Sequence, residues 1–148
     1  MTQPSQKTRA LRMTRVIDGP RDAVFRAWTD PAELRQWFGS RDHTTPAAEV
    51  DLRPGGAYRI TMRSPDGESY IVTGIYHEVD APRRLVFSWR WEGDGPDDIE
   101  SVVTVEFHEA GGRTEVRLTH EGFATDEEAA PYGAGWEGCL ERLIAHFE

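Results

Sequence analysis

Residues 15–39 read RVIDGPRDAVFRAWTDPAELRQWFG, and the order of breakers, caps and apolar residues within them decides which fold the chain can adopt. An extended run ends at Ile17, Asp18 and Gly19 break it, and Pro20 sits where the first residue of a helix can lack an amide hydrogen. A helix is predicted from there to about Thr29, with Val24 and Trp28 on one face. Asp30, Pro31 and Glu33 repeat the start signal, with Asp30 as N-cap, Pro31 in the first position and Glu33 placed to reach back to the cap amide. Leu34, Trp37 and Phe38 give this second helix its apolar face, and Gly39 stops it.

Working outward, Ala10 to Ile17 reads as a strand of ambiguous phase, preceded by a polar tail over residues 1–8 that is expected to be disordered. Downstream of the helices, turn chemistry at RPGG, SPDG, DAPR and EAGG cuts the chain into short segments rich in Val, Ile, Thr and aromatics. Strands are predicted over Ala48–Leu52, Ala57–Arg63, Ser69–Val79, Arg84–Trp91, Glu100–His108 and Thr114–Glu121. With the first strand they make an antiparallel set of about six or seven. The acidic EGDGPDD run, Glu92 to Asp98, reads as an exposed loop. From Thr125 the period changes to that of a helix: Thr125 and Glu128 form a capping box, and Tyr132, Trp136, Leu140, Leu143, Ile144 and Phe147 fall on one stripe. Pro131 is expected to interrupt its first part, giving a short turn of helix, a kink, then the main helix from about Tyr132 to the end.

At 148 residues with 38% hydrophobic content, the chain can bury one ordinary core. A net charge of −9 opposes binding to nucleic acid, whose phosphates attract clustered Lys and Arg. A single cysteine, Cys139, excludes an internal disulfide. The absence of a signal-peptide pattern makes the cytoplasm the expected compartment, and no apolar run approaches a membrane span.

The strand, the helix pair, the six strands and the terminal helix describe an α+β architecture in which a curved antiparallel sheet wraps a long C-terminal helix. In that order, and in the motifs RVIDGPRDAVFRAWTDPAELRQWF, GIYHEVDAPRRLVFSW and GWEGCLERL, the chain resembles the helix-grip, START-like (SRPBCC) superfamily. Within it, the chain is similar to the family of the C-terminal domain of the activator of the 90-kDa heat-shock protein ATPase. The resemblance covers Arg9 to Phe147, so residues 9–148 are expected to form a single START-like domain. Ser40, where relatives often carry Pro, and Pro131 depart from the pattern.

The resemblance implies a cavity between sheet and helix that holds a lipid, a polyketide or another apolar small molecule. Leu85, Phe87, Trp89 and Trp91 alternate on one side of a strand and suit either a cavity wall or a plain core. Trp136, flanked by Gly133, Gly135 and Gly138, marks a place where room is left for a ligand or for close approach of the sheet. Trp37 reads as a lid over the cavity mouth or as an anchor. Tyr132 and Leu140 share the helix stripe with Trp136. His120, in phase with Val116 and Leu118 and near Phe123, points inward, as a ligand contact or as a satisfied core histidine. Arg15, in phase with Leu11, Met13 and Ile17, projects into the cavity or into solvent. Tyr58, Tyr70 and Tyr76 add hydroxyls on strands of undecided facing.

No catalytic elbow, zinc motif or nucleotide-binding glycine loop is present, and the five histidines are dispersed, so neither a metal nor another cofactor is expected. Cys139 reads as a small buried hydrophobe. The leading expectation is a binding protein for a hydrophobic small molecule, serving transport, sequestration or sensing. An alternative is a cyclase or dehydratase that uses the same cavity, with His120 and Glu106 or Asp42 moving protons. A third is an interaction module that stimulates a chaperone ATPase, weakened because activators of that type carry a further N-terminal domain for which there is no room before Arg9. A homodimer through an exposed edge strand or helix stays open.

Overall fold

The structure is a computed structural model that describes residues 9–39, 42–92 and 101–148. Its elements are β1 (Arg9–Ile17), α1 (Arg21–Thr29), α2 (Pro31–Trp37), β2 (Thr44–Val50), β3 (Ala57–Arg63), β4 (Ser69–Asp80), β5 (Arg84–Trp91), β6 (Ser101–Ala110), β7 (Arg113–Phe123) and α3 (Asp126–His146). The seven strands form one sheet in the order β1-β7-β6-β5-β4-β3-β2, every adjacent pair antiparallel. Consecutive strands from β2 to β7 are neighbours, and β1 closes the far side on β7. The tail over residues 1–8, Ser40 and the loop over residues 93–98 lie outside the described residues. No helix among the described residues is long and apolar enough to cross a membrane.

Alternation places one face of every strand against the helices. Tyr58, Ile60 and Met62 of β3, Leu85, Phe87 and Trp89 of β5, Val103, Val105 and Phe107 of β6, and Val116, Leu118 and His120 of β7 are all buried. The opposite face is charged, with Arg84 bridging Glu78 and Glu106 at 3.2 and 2.7 Å. Trp28, Trp37 and Leu34 from the helix pair and Trp136, Cys139, Leu140 and Leu143 from α3 complete the core.

Local chemistry adjusts several expected boundaries. Pro20 is the N-cap of α1, extended at ψ 157°, so the helix starts one residue later than predicted. Asp30 caps α2 by accepting from the Ala32 amide at 3.0 Å. Its own amide already donates to the Arg26 carbonyl, which ends α1. Glu33 therefore has no cap amide to reach and instead meets His146 at 3.2 Å and Arg26 at 3.6 Å. Strand β2 begins at Thr44 rather than Ala48, because an edge strand tolerates Pro46 where the pairing register shifts between Thr44 and Ala47. The helix is not interrupted at Pro131: α3 runs from Asp126 to His146 with Pro131 inside its second turn. The Thr125 hydroxyl accepts from the Glu128 amide at 3.1 Å, and Glu128 returns to the Ala124 amide at 2.9 Å.

The ladder between β4 and β5 opens around Gly74 and Ile75, where side chains replace it. The Tyr58 hydroxyl donates to the Ser88 carbonyl at 2.6 Å, and the Ser88 hydroxyl accepts from the Ile75 amide at 2.9 Å. Gly74 makes this possible, since a Cβ there would lie 2.6 Å from the Tyr58 ring and collide with the Ser88 carbonyl.

Candidate functional site

The five tryptophans, distant in sequence, form one chain of ring contacts. Centroid separations run 4.9 Å from Trp37 to Trp28, 6.0 Å from Trp28 to Trp136, 5.3 Å from Trp136 to Trp89 and 5.5 Å from Trp89 to Trp91. At the inner end this chain is solid core. At the outer end it borders a cavity of about 300 Å³.

The cavity sits between β5 and α3. Trp89 and Trp91 form its sheet wall, and Tyr132, Gly135, Trp136 and Cys139 form its helix wall. Phe38 and Gly39 at the end of α2, with Met62 of β3, form a third side. Gly135 contributes wall without a side chain, which is the room the glycine spacing around Trp136 predicted. Gly133 faces the other way, 3.7 Å from Leu11 by the position a Cβ would take. Trp91 is 40% exposed, and its indole N–H donates to the Tyr132 hydroxyl at 2.9 Å, so one hydrogen bond joins β5 to α3 on the solvent side.

Behind this wall, His120 is fully buried. The Trp136 indole can only donate, and it reaches His120 Nδ1 at 3.0 Å, so that nitrogen is the acceptor and the proton resides on Nε2. Nε2 donates to the Ser101 hydroxyl at 2.7 Å, and Ser101 faces the Trp89 carbonyl at 3.4 Å. Phe123 and Tyr132 pack on the ring at 4.8 and 5.0 Å. Burial among these groups lowers the His120 pKa to about 3. The imidazole is thus neutral, satisfied at both nitrogens, and fixes the ring of Trp136.

Arg142 anchors the third side. Its guanidinium donates to the backbone carbonyls of Phe38, His43 and Gln36 at 3.2, 3.0 and 3.3 Å, closing the C-terminal end of α2. Burial raises the Cys139 thiol to about 12, so it is protonated and a poor nucleophile at neutral pH. The pair suggested for proton transfer is not assembled: Glu106 lies on the charged face with Arg84 and His108, and Asp42 is exposed. Among the described residues, no three His, Cys, Asp or Glu side chains lie together where a metal could sit.

Of the residues singled out in the sequence, the structure brings Trp89, Trp91, Tyr132 and Trp136 to the cavity, with His120 and Phe123 directly behind them. Trp37 lies elsewhere. It is fully buried and donates to the Ala27 carbonyl at 2.9 Å, an anchor between α1 and α2 rather than a lid. Tyr58 and Phe87 turn toward Tyr76, at 5.5 Å from Tyr58 and 6.1 Å from Phe87, and line a seam of only about 10 Å³. Leu140 is core. Arg15 is half-buried outside the cavity and donates to the Thr14 carbonyl at 2.9 Å. Phe38, Met62 and Cys139 also line the wall, although none of them was expected as a ligand contact. Their parity and stripe positions mark them as buried, but nothing in the sequence distinguishes cavity wall from core.

The family described as Activator of Hsp90 ATPase homolog 1-like protein matches residues 18–148. Solved structures agree in fold. The AHSA1 protein from Silicibacter pomeroyi is 29% identical, with 93% of this chain and 96% of that one covered at a TM-score of 0.82. The AHSA1-like protein from Aeromonas hydrophila is 30% identical, with 92% and 91% covered at 0.75. A protein from Chromobacterium violaceum is 25% identical, with 94% and 96% covered at 0.84. Among curated proteins, no match was found.

Proposed function

We propose that this chain, which belongs to the Activator of Hsp90 ATPase homolog 1-like family, binds an apolar small molecule in the cavity between β5 and α3, for transport, sequestration or sensing. The observation that carries the reading is the cavity itself. About 300 Å³ remains at the outer end of an aromatic chain that elsewhere closes into core. Its walls are indole, phenyl, thioether and glycine surface, the composition of a small-molecule site. The walls are also held from behind, Trp136 by His120 and the end of α2 by Arg142, so the site is preorganised and loses little entropy on binding.

Catalysis by His120 is disfavoured by the same geometry, since its one acceptor nitrogen is engaged with Trp136 and its proton with Ser101. Stimulation of a chaperone rests on the family description alone.

The test is thermal denaturation with a neutral bicyclic hydrocarbon, 1-ethylnaphthalene, on the wild type and on Gly135→Leu, which fills the cavity from α3. Ligand binding only to the folded state adds about 2.7 kcal/mol at a hundredfold excess over Kd, so the wild-type Tm rises with concentration. The variant keeps its fold and shows no rise. A wild-type Tm that does not respond to the hydrocarbon contradicts the reading.

A further inference from the structure

The residues that line the β5–α3 cavity divide by exposure. Phe38, Gly39, Met62, Trp89, Trp136 and Cys139 are buried and form its floor and sides. The exposed and half-buried ones, Trp91, Pro131, Tyr132 and Gly135, belong to the end of β5 and to the second and third turns of α3, and they form its mouth. Across that mouth runs the hydrogen bond from the Trp91 indole N–H to the Tyr132 hydroxyl, 2.9 Å long. A dry apolar cavity of about 150 Å³ takes one benzene ring, so about 300 Å³ takes roughly a dozen non-hydrogen atoms. A molecule of that size cannot pass between Trp91 and Tyr132 while the bond stands.

The two partners are held unequally. The Tyr132 ring packs on Phe123 at 4.9 Å and on His120 at 5.0 Å, and His120 is itself fixed by Trp136 and Ser101. The Trp91 backbone is also fixed, because it pairs with Val72 in the β4–β5 ladder and the next amide, that of Glu92, donates to the Ile71 carbonyl at 2.8 Å. The Trp91 side chain is not. It is 40% exposed and has one ring neighbour among the described residues, Trp89, met edge-on at 5.5 Å. Rotamer changes of exposed side chains are fast, so release of the Tyr132 bond frees the indole to turn into solvent with no movement of the backbone. Water replaces the partner of an exposed hydrogen bond, which keeps the net cost of opening small.

Building on the proposed cavity function, we propose that Trp91 is a side-chain gate and Tyr132 its fixed post. The indole rotates away from the Tyr132 hydroxyl to admit or release the ligand, and the hydrogen bond latches it closed again. The deep wall, held by His120 and Arg142, keeps its shape throughout.

The experiment is stopped-flow mixing with 1-ethylnaphthalene over a range of concentrations, followed by tryptophan fluorescence, which Trp89 and Trp136 supply at the cavity in every variant. Tyr132→Phe keeps the ring on Phe123 and His120 and removes the acceptor. Trp91→Phe keeps an aromatic leaf and removes the donor. Each should raise the association rate constant about threefold to tenfold over the wild type, the span by which loss of one such bond enriches the open state, and the dissociation rate constant should rise with it. The double variant should be no faster than Trp91→Phe alone, since both substitutions remove the same bond. A plain wall contact behaves differently: its loss speeds release and does nothing for entry.

An association rate that stays at the wild-type value in the variants, or effects that multiply in the double variant, overturns the gate and leaves the cavity reading standing. A wild type that takes up none of the hydrocarbon overturns the cavity reading, and the gate with it. The two single variants test the bond from opposite sides, so either one decides the matter if the other does not fold.

Discussion

His120 offers a direct thermodynamic test of how the cavity wall is held. In the folded protein its pKa is lowered to about 3, whereas an unfolded chain returns it to its ordinary 6.5. Between these values the unfolded state binds the proton and the folded state does not, so stability rises with pH across the window and is lost as pH falls below 6.5. At about pH 5 the difference amounts to roughly 2 kcal/mol, and the full shift corresponds to about 5 kcal/mol near pH 3. The cause is structural: a protonated imidazole cannot accept from Trp136, and the groups facing the ring, namely Phe123, Tyr132, Trp89 and Ser101, carry no charge to stabilise it. The assay is urea unfolding at about pH 7.5 and about pH 5 for the wild type and His120→Gln. The Gln amide can accept from Trp136 and donate to Ser101 without titrating. Glu106, held below its ordinary 4.5 by the hydrogen bond with His108, titrates beneath this window, and the variant cancels its contribution. The wild type should lose about 2 kcal/mol more than the variant between the two pH values. An equal loss, or a folded-state imidazole resonance that titrates near 6.5, would refute the reasoning.

Three further outcomes follow from the geometry. Gly74→Ala should destabilise by about 3 kcal/mol in urea unfolding, because its Cβ collides with the Ser88 carbonyl and the Tyr58 ring; a change below about 1 kcal/mol would mean that the β4–β5 opening is soft. Arg142→Met should cost about 2–3 kcal/mol and weaken 1-ethylnaphthalene binding, since the Gln36 carbonyl in the last turn of α2 and the His43 carbonyl ahead of β2 lose this donor and the Phe38 carbonyl keeps only the Thr45 hydroxyl; unchanged affinity would show that α2 holds its place alone. Cys139, buried and protonated, should resist a thiol-specific disulfide reagent at pH 8 in the native state and react fully in urea; rapid native labelling would show that the wall opens.

Much of the fold was written in local chemistry. The DP pair at Asp30–Pro31, the Thr125 cap and the alternation of Leu85, Phe87 and Trp89 each act within a few residues, so their outcomes could be read from order alone. The misreadings arose where another element competes. Glu33 lost its capping role because the Asp30 amide is committed to Arg26, and Pro131 was accommodated inside a helix that tertiary packing holds together. At the site, the aromatic stripe and the glycines around Trp136 were visible. Their division into wall and core was not, because it depends on which rings meet across the sheet. Trp37 and Trp89 carry the same side chain in similarly apolar surroundings, yet one N–H finds the Ala27 carbonyl and the other finds nothing among the described residues. That difference exists only in three dimensions.

The central claim, that the β5–α3 cavity holds an apolar small molecule, is tested most directly by native mass spectrometry of the protein purified under mild conditions from its own source, alongside Gly135→Leu prepared identically. The account predicts a stoichiometric apolar adduct on the wild type, of a mass that about a dozen non-hydrogen atoms would give and released by denaturation, and its absence on the variant. A wild-type protein that carries no adduct and takes up no 1-ethylnaphthalene, or an adduct that persists in the filled variant, would contradict it.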